Sequence, residues 1–280
     1  MFEVQTLNVD DGREAAAVET RPDQSSHPLI DPKSGLAWWL GELTLAAVVV
    51  AVSVALGAKT RHETAVGVLD EGAHYDYVLA VRKGHIPAWG DPSDQRTLRL
   101  IDCVGSWGRP KSGCDVRFRD PATYPAKGFS YEAQQPPLGY LPYLLSVRPN
   151  ADPAHVLVDA RDGGAAWTAV AAVLLLAIAT LEGLSLVAFS VLLSTCLLCP
   201  VHVIAAATVN NDAAGVAAGA LAFLVVLVSR RWVGRSPVWA VLAGAATGLI
   251  IGLIKGHYAI APMVLVVAAL TGERPWTSLP

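Results

Sequence analysis

The residues best suited to chemistry lie in one short segment that follows the first apolar stretch of the chain. This segment contains Asp70, Glu71 and His74. Asp70 is a good N-cap residue, and side chains four positions apart then share one face of the helix that it begins. Carboxylates beside an imidazole at a helix start can act as a general base or coordinate a cation. The alternative interpretation is a capped surface helix with a solvated acidic end.

A second polar segment precedes a rigid bend in the chain. Glu132 and Gln135 come just before Pro136 and Pro137, and two consecutive prolines favour an extended backbone. The aromatic and Leu-rich stretch behind them can lie along a membrane surface. We expect Glu132 and Gln135 to bind a substrate, the alternative being an interfacial anchor with incidental polar residues.

Two further polar groups interrupt the apolar C-terminal half of the chain. Asn211 and Asp212 lie between two apolar stretches, where such residues commonly form a turn. Lys255 and Tyr258 lie where a later apolar stretch ends. A lysine at that position either snorkels to the membrane interface or meets a phosphate. These four residues are therefore candidates for substrate binding, with a simple turn and a snorkelling lysine as the alternatives.

The composition identifies the elements that must position these residues. Of 280 residues, 53% are hydrophobic and 16% are charged, and the mean hydropathy is +0.42. A soluble domain has roughly 25% charged residues. The apolar residues gather in Ala/Val/Leu blocks that approach the roughly 20 residues of a membrane-spanning helix. The sequence predicts an all-α membrane protein in a lipid bilayer, and a net charge of −3 without a basic stripe argues against a nucleic-acid partner.

The apolar pattern predicts about six transmembrane helices, with a large extracytoplasmic loop between the first and the second. The predicted spans lie near 37–56, 165–181, 184–204, 213–228, 238–254 and 258–270, and the later spans are separated by breaks at 182–183, 210–212, 229–237 and 255–257. A compact basic loop at Arg230, Arg231 and Arg235 is typical of the cytoplasmic side. Counting the spans back from this loop places the large loop on the outer face of the cell membrane (plasma or inner membrane) and both termini in the cytoplasm. The predicted segments are a cytoplasmic polar tail over 1–36, the first transmembrane helix over 37–57, the outer loop with juxtamembrane helices over 58–163, a five-helix transmembrane bundle over 164–271, and a cytoplasmic tail over 272–280.

The four cysteines form two pairs of different character. Cys103 and Cys114 lie in the predicted outer loop with Gly and Pro between them. That segment suits a tight excursion, and an outer location is oxidising. We therefore expect a disulfide between them, with two unpaired thiols as the alternative. Cys196 and Cys199 lie in an apolar stretch, where cysteine usually behaves as a small hydrophobic residue.

Taken in order, these elements resemble the GT-C superfamily of membrane glycosyltransferases, which use polyprenyl-phosphate sugars. The closest resemblance is to bacterial relatives of the protein mannosyltransferases, including predicted membrane proteins of unassigned function. In this sequence Gln135 stands where the family usually has a histidine, and members commonly have more spans. The motifs that carry the resemblance are Asp70-Glu71-x-x-His74, Gln135-Pro136-Pro137-Leu138-Gly139-Tyr140, Asn210-Asn211-Asp212 and Lys255-Gly256-His257-Tyr258.

The resemblance implies transfer of a sugar from a polyprenyl-phosphate donor to a hydroxyl of a cell-envelope glycan or protein. It implies that Asp70 deprotonates the acceptor, that Glu71 and His74 support it, and that Lys255 meets the donor phosphate. A divalent cation held by Asp70 and Glu71 is the one cofactor that it suggests. The alternatives are a catalytically inactive GT-C-like scaffold or partner subunit, and a transporter. The sequence has no internal repeat of the kind that transporters often show.

Overall fold

The chain is built from α-helices, as its apolar blocks predict. The computed structural model describes residues 35–63, 65–67, 70–106, 112–114, 120–148, 153–233 and 237–256. Within these residues there are isolated β-bridges at Val66–Ser106 and Pro92–Phe129 but no strand. The helices in chain order are α1 (Leu36–His62), α2 (Glu71–Arg82), α3 (Gln95–Val104), α4 (Leu141–Ser146), α5 (Pro153–Glu182), α6 (Leu186–Leu197), α7 (Pro200–Ala207), α8 (Gly215–Val233) and α9 (Pro237–Ile254).

Three stretches of the described chain are long and apolar enough to cross a membrane. They are α1, His155–Glu182 within α5, and Asn211–Ser229, which begins in the turn just before α8 and continues through most of that helix. The pair α6 and α7 makes a fourth if it is taken as one span bent by 56°. α9 is also apolar but contributes only the shorter stretch Val241–Ile254. The sixth predicted span, over 258–270, lies outside the described residues.

Several predicted boundaries shift in the structure. The expected span over 184–204 is interrupted, because α6 ends at Leu197 and Pro200 begins α7. Proline has no N–H to donate and tolerates only the first turn of a helix, so the helix breaks before it. α5 begins at Pro153, well before the apolar stretch, and its polar first turns carry Arg161. The predicted break after Glu182 is present, with Gly183 at a φ of 60°.

α5 is the central helix of the bundle and packs against α1, α4, α7 and α8. Two consecutive glycines make these approaches possible. A Cβ at Gly163 would lie 2.6 Å from the Tyr143 backbone N, and a Cβ at Gly164 would lie 2.1 Å from the Ala206 carbonyl oxygen. Small residues at such crossings let helix backbones come close in a membrane, where packing drives association. α4 and α7 are thereby fixed against the polar end of α5.

The segment between α1 and α5 is cross-linked by the predicted disulfide. Cys103 at the end of α3 is bonded to Cys114, which confirms the pairing. The backbone N–H groups of Ser112 and Gly113 donate to the Asp102 carbonyl at 2.8 and 3.1 Å. The segment just before Cys114 is therefore held against the last turn of α3. In turn, Leu98, Leu100 and Ile101 on α3 are buried in the core.

Candidate functional site

A buried ion pair joins the loop after α1 to the first turns of α5. Arg161 and Glu71 are both fully buried. The guanidinium donates from Nε to Oε1 at 2.7 Å and from Nη2 to Oε2 at 2.6 Å. Such a bidentate pair has the strongest geometry available to an arginine and a carboxylate. It fixes the start of α2 to α5.

The same arginine also binds the end of α1. Its Nη1 donates to the carbonyl oxygens of Thr60, Arg61 and Glu63 at 3.0, 3.2 and 2.5 Å, and its Nη2 donates to that of Ala65 at 2.8 Å. The last carbonyls of a helix have no partner within the helix, and a cation at that end is favourable because the helix dipole is negative there. Arg161 is therefore a C-terminal cap for α1.

Glu71 accepts two further hydrogen bonds from the backbone. The N–H of Gly67 donates to Oε2 at 2.6 Å, and the N–H of Val209 donates to Oε1 at 2.8 Å. Both carboxylate oxygens of Glu71 thus accept two hydrogen bonds each. Together, Glu71 and Arg161 connect the C-terminal ends of α1 and α7 with the first turns of α2 and α5. This geometry suits Glu71 for positioning the site.

Asp70 precedes this pair and has a different environment. It occupies the N-cap of α2, as predicted, with its carbonyl accepting from the N–H of Ala73 at 2.8 Å. Its side chain makes no capping hydrogen bond, and its φ is 61°. Strained backbone of this kind is common at functional sites. The carboxylate is exposed and interacts with Tyr131, whose pKa is raised by burial and further raised by a hydrogen bond to Asp70.

His74 lies one turn further along α2, inside a buried polar cluster. Its Nδ1 is 2.6 Å from the Tyr140 hydroxyl and 3.7 Å from Oε2 of Glu132. Burial, opposed in part by the charges of Asp212 and Asp70, lowers the pKa of His74 to about 4. The imidazole is therefore neutral at pH 7.

Glu132 and Gln135 continue this cluster toward the turn between α7 and α8. The Asn211 side-chain amide donates from Nδ2 to Oε1 of Gln135 at 3.0 Å. Burial is the main cause that raises the pKa of Glu132, while a hydrogen bond from Gln135 lowers it. Within the part of the chain that the structure describes, Oε2 of Glu132 and Oδ1 of Asn211 are buried without a hydrogen-bond partner. The centre of the cluster therefore retains two buried acceptors.

Lys255 closes the cluster from the end of α9. Its ammonium forms an ion pair with Asp212, and the two side chains are 12% and 45% exposed. α9 comes this close because Gly139 has no side chain: a Cβ there would lie 2.7 Å from the Ile254 carbonyl oxygen. The charges of Asp212, Lys255 and Asp70 all affect the pKa of His74. Lys255 and Asp70 therefore both lie near enough to His74 for their charges to act on it.

The structure thus brings most of the predicted site residues together at one end of the helix bundle. The ends of α1, α7 and α9 meet the starts of α2, α5 and α8 there. Glu71 lies beside this cluster in its ion pair. Tyr258 lies outside the described residues. The residues that converge are Asp70, His74, Glu132, Gln135, Asn211, Asp212 and Lys255.

Sequence reasoning missed three residues that complete the cluster. Arg161 was hidden in the predicted loop, although an arginine beside a long apolar stretch indicates a buried partner. Tyr131 and Tyr140 belong to the proline-containing segment but have no spacing that identifies them. Their hydroxyls are assigned to Asp70 and His74 only by the tertiary contacts described above.

Two cavities border the same region. One of about 200 Å³ is lined by Asp70, Ala73 and Tyr131 among others. A wider polar cleft of about 650 Å³ lies by Asp76, Lys83 and Arg99. Among the described residues, no three His, Cys, Asp or Glu side chains form a group that could hold a metal ion.

Fold and site together define an all-helical protein with membrane-length apolar helices and a polar cluster at one end of its bundle. Comparison with known proteins adds no relative: no family model, no curated protein and no solved structure matches the chain.

Breaking the Glu71–Arg161 pair is expected to destabilise the protein strongly. Glu71→Gln and Arg161→Met each leave a buried charge without its partner, which costs roughly 3–5 kcal/mol. Thermal unfolding in detergent micelles measures the loss. Lys83→Gln is the control, because the Lys83–Asp94 pair is 55% exposed at the lysine and such pairs contribute about 1 kcal/mol or less. Equal melting temperatures for all three variants contradict the assignment.

The protonation of His74 gives a pH-dependent prediction. Unfolded histidine takes up a proton below about pH 6.5, whereas burial lowers the pKa of His74 to about 4 in the fold. Between these two pKa values the unfolded chain binds more protons than the folded protein does. His74 therefore lowers the free energy of unfolding as the pH falls from about 6.5 to about 4. In NMR titrations, we expect the imidazole signal that is lost in His74→Gln to stay constant from about pH 8 to about pH 5.5. A midpoint near 6.5 contradicts the burial.

Proposed function

We propose that the protein is a GT-C-type glycosyltransferase of the plasma or inner membrane, acting on the outer membrane face. The supporting observation is that distant segments meet at one end of the bundle: His74, one turn after Asp70, contacts Tyr140 and Glu132, and Gly139 lies against the end of α9, next to Lys255. In this proposal the carboxylate of Asp70 acts on the acceptor and the ammonium of Lys255 binds the donor phosphate. The polyprenyl tail of the donor lies beside the apolar helices. Its partners are the lipid bilayer, a polyprenyl-phosphate sugar and an envelope glycan or protein.

The proposed reaction is a single displacement at the donor sugar. The Asp70 carboxylate takes the proton of the acceptor hydroxyl, and the acceptor oxygen forms a bond to the anomeric carbon. The bond from that carbon to the phosphate oxygen breaks, and polyprenyl phosphate leaves with the electron pair. Lys255 stabilises the negative charge that develops on the phosphate. Asp212, its ion-pair partner, holds the ammonium in position.

The buried residues around Asp70 are proposed to position it and to bind the substrates. Glu71 fixes the first turn of α2, on which Asp70 is the N-cap. His74 is neutral and hydrogen-bonded to Tyr140, and it is proposed to support Asp70. Glu132, Gln135 and Asn211 offer hydrogen-bonding groups to sugar hydroxyls, and Tyr258 remains a candidate for donor binding. A divalent cation at Asp70 remains part of the proposal, with Glu71 already saturated by hydrogen bonds.

The proposal includes a topology of six spans with both termini in the cytoplasm. The alternation of helix ends supports it: the ends of α1, α7 and α9 and the starts of α5 and α8 lie at the end of the bundle that carries the polar cluster. Successive spans therefore alternate in direction through the described bundle. The end of α8, which carries Arg230 and Arg231, then lies at the opposite end, on the side that the positive-inside rule assigns to the cytoplasm.

A catalytically inactive scaffold is the second candidate function. One observation favours it: Glu71 of the acidic motif is fully engaged in structural hydrogen bonds. The scaffold interpretation expects Asp70 to face only solvent, whereas its carboxylate also lines a cavity. A transporter is a weaker alternative, since the polar cluster lies at one end of the bundle.

Asp70→Asn is expected to abolish sugar transfer while leaving the protein folded. The amide keeps the size of the side chain but cannot accept the acceptor proton, and loss of a general base costs about 10²–10⁴-fold in rate. Transfer is measured with purified protein in nanodiscs, using labelled polyprenyl-phosphate mannose, glucose and arabinose with envelope extract as acceptor. Lys255→Met is expected to weaken donor binding.

Glu63→Gln is the matched control for this experiment. Glu63 is an exposed carboxylate at the end of α1, close in sequence to Asp70. We expect its variant to transfer sugar at the wild-type rate. Full activity of Asp70→Asn contradicts the proposed mechanism, and absence of transfer by the wild-type protein with every donor favours the scaffold.

A further inference from the structure

The cavity of about 200 Å³ beside Asp70 has walls of two kinds. The polar residues that line it include Asp70, Tyr131, Ser93, Thr97 and Ser106. Apolar walls come from Leu98 and Ile101 of α3 and from Phe129, whose side chain is 47% exposed. A small site with hydroxyl, carboxylate and aromatic groups fits a ligand that is itself polar at its edges and apolar on its faces.

The size of the cavity limits that ligand to a single ring. Sites that enclose drug-sized molecules occupy roughly 300–1,000 Å³, so this cavity accepts a smaller unit. About half of the lining residues lie in α2 and α3, and Val66 and Ser106, which also line the cavity, pair with each other in an isolated β-bridge. None of these lining residues belongs to a strand, so the wall lacks the strand edge that binds an extended peptide. Hydroxyl and carboxylate groups can donate to and accept from several ring hydroxyls at once.

The position of Asp70 connects this cavity to the charged cluster. The carboxylate lines the cavity, and its charge also acts on Glu132 and His74 together with the charge of Lys255. Asp70 therefore belongs both to the lining of the cavity and to the group of charges that includes Lys255. In a transfer reaction, the group that removes the acceptor proton must touch the acceptor.

We propose that this cavity binds the terminal sugar ring of a glycan, with Asp70 contacting one of its hydroxyls and Phe129 covering one face of the ring. This rests on the proposed function and specifies it further, since it makes the acceptor a carbohydrate and not a polypeptide side chain. Aromatic side chains contribute large apolar surfaces at such sites. Ala73 of α2 forms part of the cavity wall, and its small side chain leaves room for the ring.

Binding of methyl glycosides to the protein in nanodiscs tests the proposal without any donor. The probes are the methyl glycosides of mannose, glucose, galactose and arabinose, with affinities measured by NMR saturation transfer and calorimetry. We expect at least one probe to bind the wild-type protein. Ala73→Leu places a larger side chain in the cavity and is expected to weaken that binding by about tenfold or more. Ala80→Leu, on the same helix but outside this cavity, is the control and is expected to bind normally.

Phe129→Ala is the second variant, and it also weakens binding if the ring lies against Phe129. Since its side chain is half exposed, this change leaves the core intact, and it replaces Ala73→Leu if that variant has a lowered melting temperature. The carbohydrate assignment is overturned if the wild-type protein binds none of the probes. It is also overturned if Ala73→Leu and Phe129→Ala both bind the probe as tightly as the wild-type protein does. Probe binding without any sugar transfer upholds the cavity and refutes the enzyme proposal, so the two failures are distinguishable.

Discussion

The buried pair of Glu71 and Arg161 is the interaction on which the polar end of the bundle depends. Removing two charges from water is costly, and a buried ion pair is tolerated only when its remaining hydrogen-bonding groups are satisfied. Here the guanidinium also caps the end of α1, and the carboxylate also accepts the N–H groups of Gly67 and Val209. One pair thereby sets the relative positions of four helix ends, and these ends carry the polar residues of the site.

The rest of the cluster follows from that constraint. Asp70 cannot share the burial of its neighbour, and its left-handed backbone frees its carboxylate from capping α2. Behind it, burial keeps His74 neutral and raises the pKa of Glu132. The charges that remain are at the rim, on Asp70, Asp212 and Lys255.

Much of the fold could be predicted from the sequence, because helix positions depend on local apolar patterning. The helix breaks at Glu182 and before Pro237 and the Cys103–Cys114 disulfide were all predicted, and the acidic, proline-containing, Asn-Asp and lysine motifs prove to be neighbours. Arg161 could not be identified, since its role depends on carbonyls about a hundred positions away in the chain.

The bend between α6 and α7 was also missed, although Pro200 is visible in the sequence. An apolar stretch of membrane length favours one continuous span, and only the packing of α7 against α1 and α5 shows that the helix changes direction. The first turns of α5 were missed for the opposite reason. They are polar in sequence, and Arg161 becomes acceptable in a buried helix only through partners contributed by other segments.

Cross-linking between positions 70 and 212 tests the central claim most directly, namely that one end of the bundle assembles these motifs around the Glu71–Arg161 pair. Asp70→Cys and Asp212→Cys are combined in a protein with Cys196→Ser and Cys199→Ser and treated in membranes with a short bifunctional thiol reagent. We expect efficient cross-linking that is lost when Arg161→Met is added. Cross-linking no better than that of Asp70→Cys with Glu182→Cys, a position roughly 30 Å along α5 from Arg161, would contradict the account.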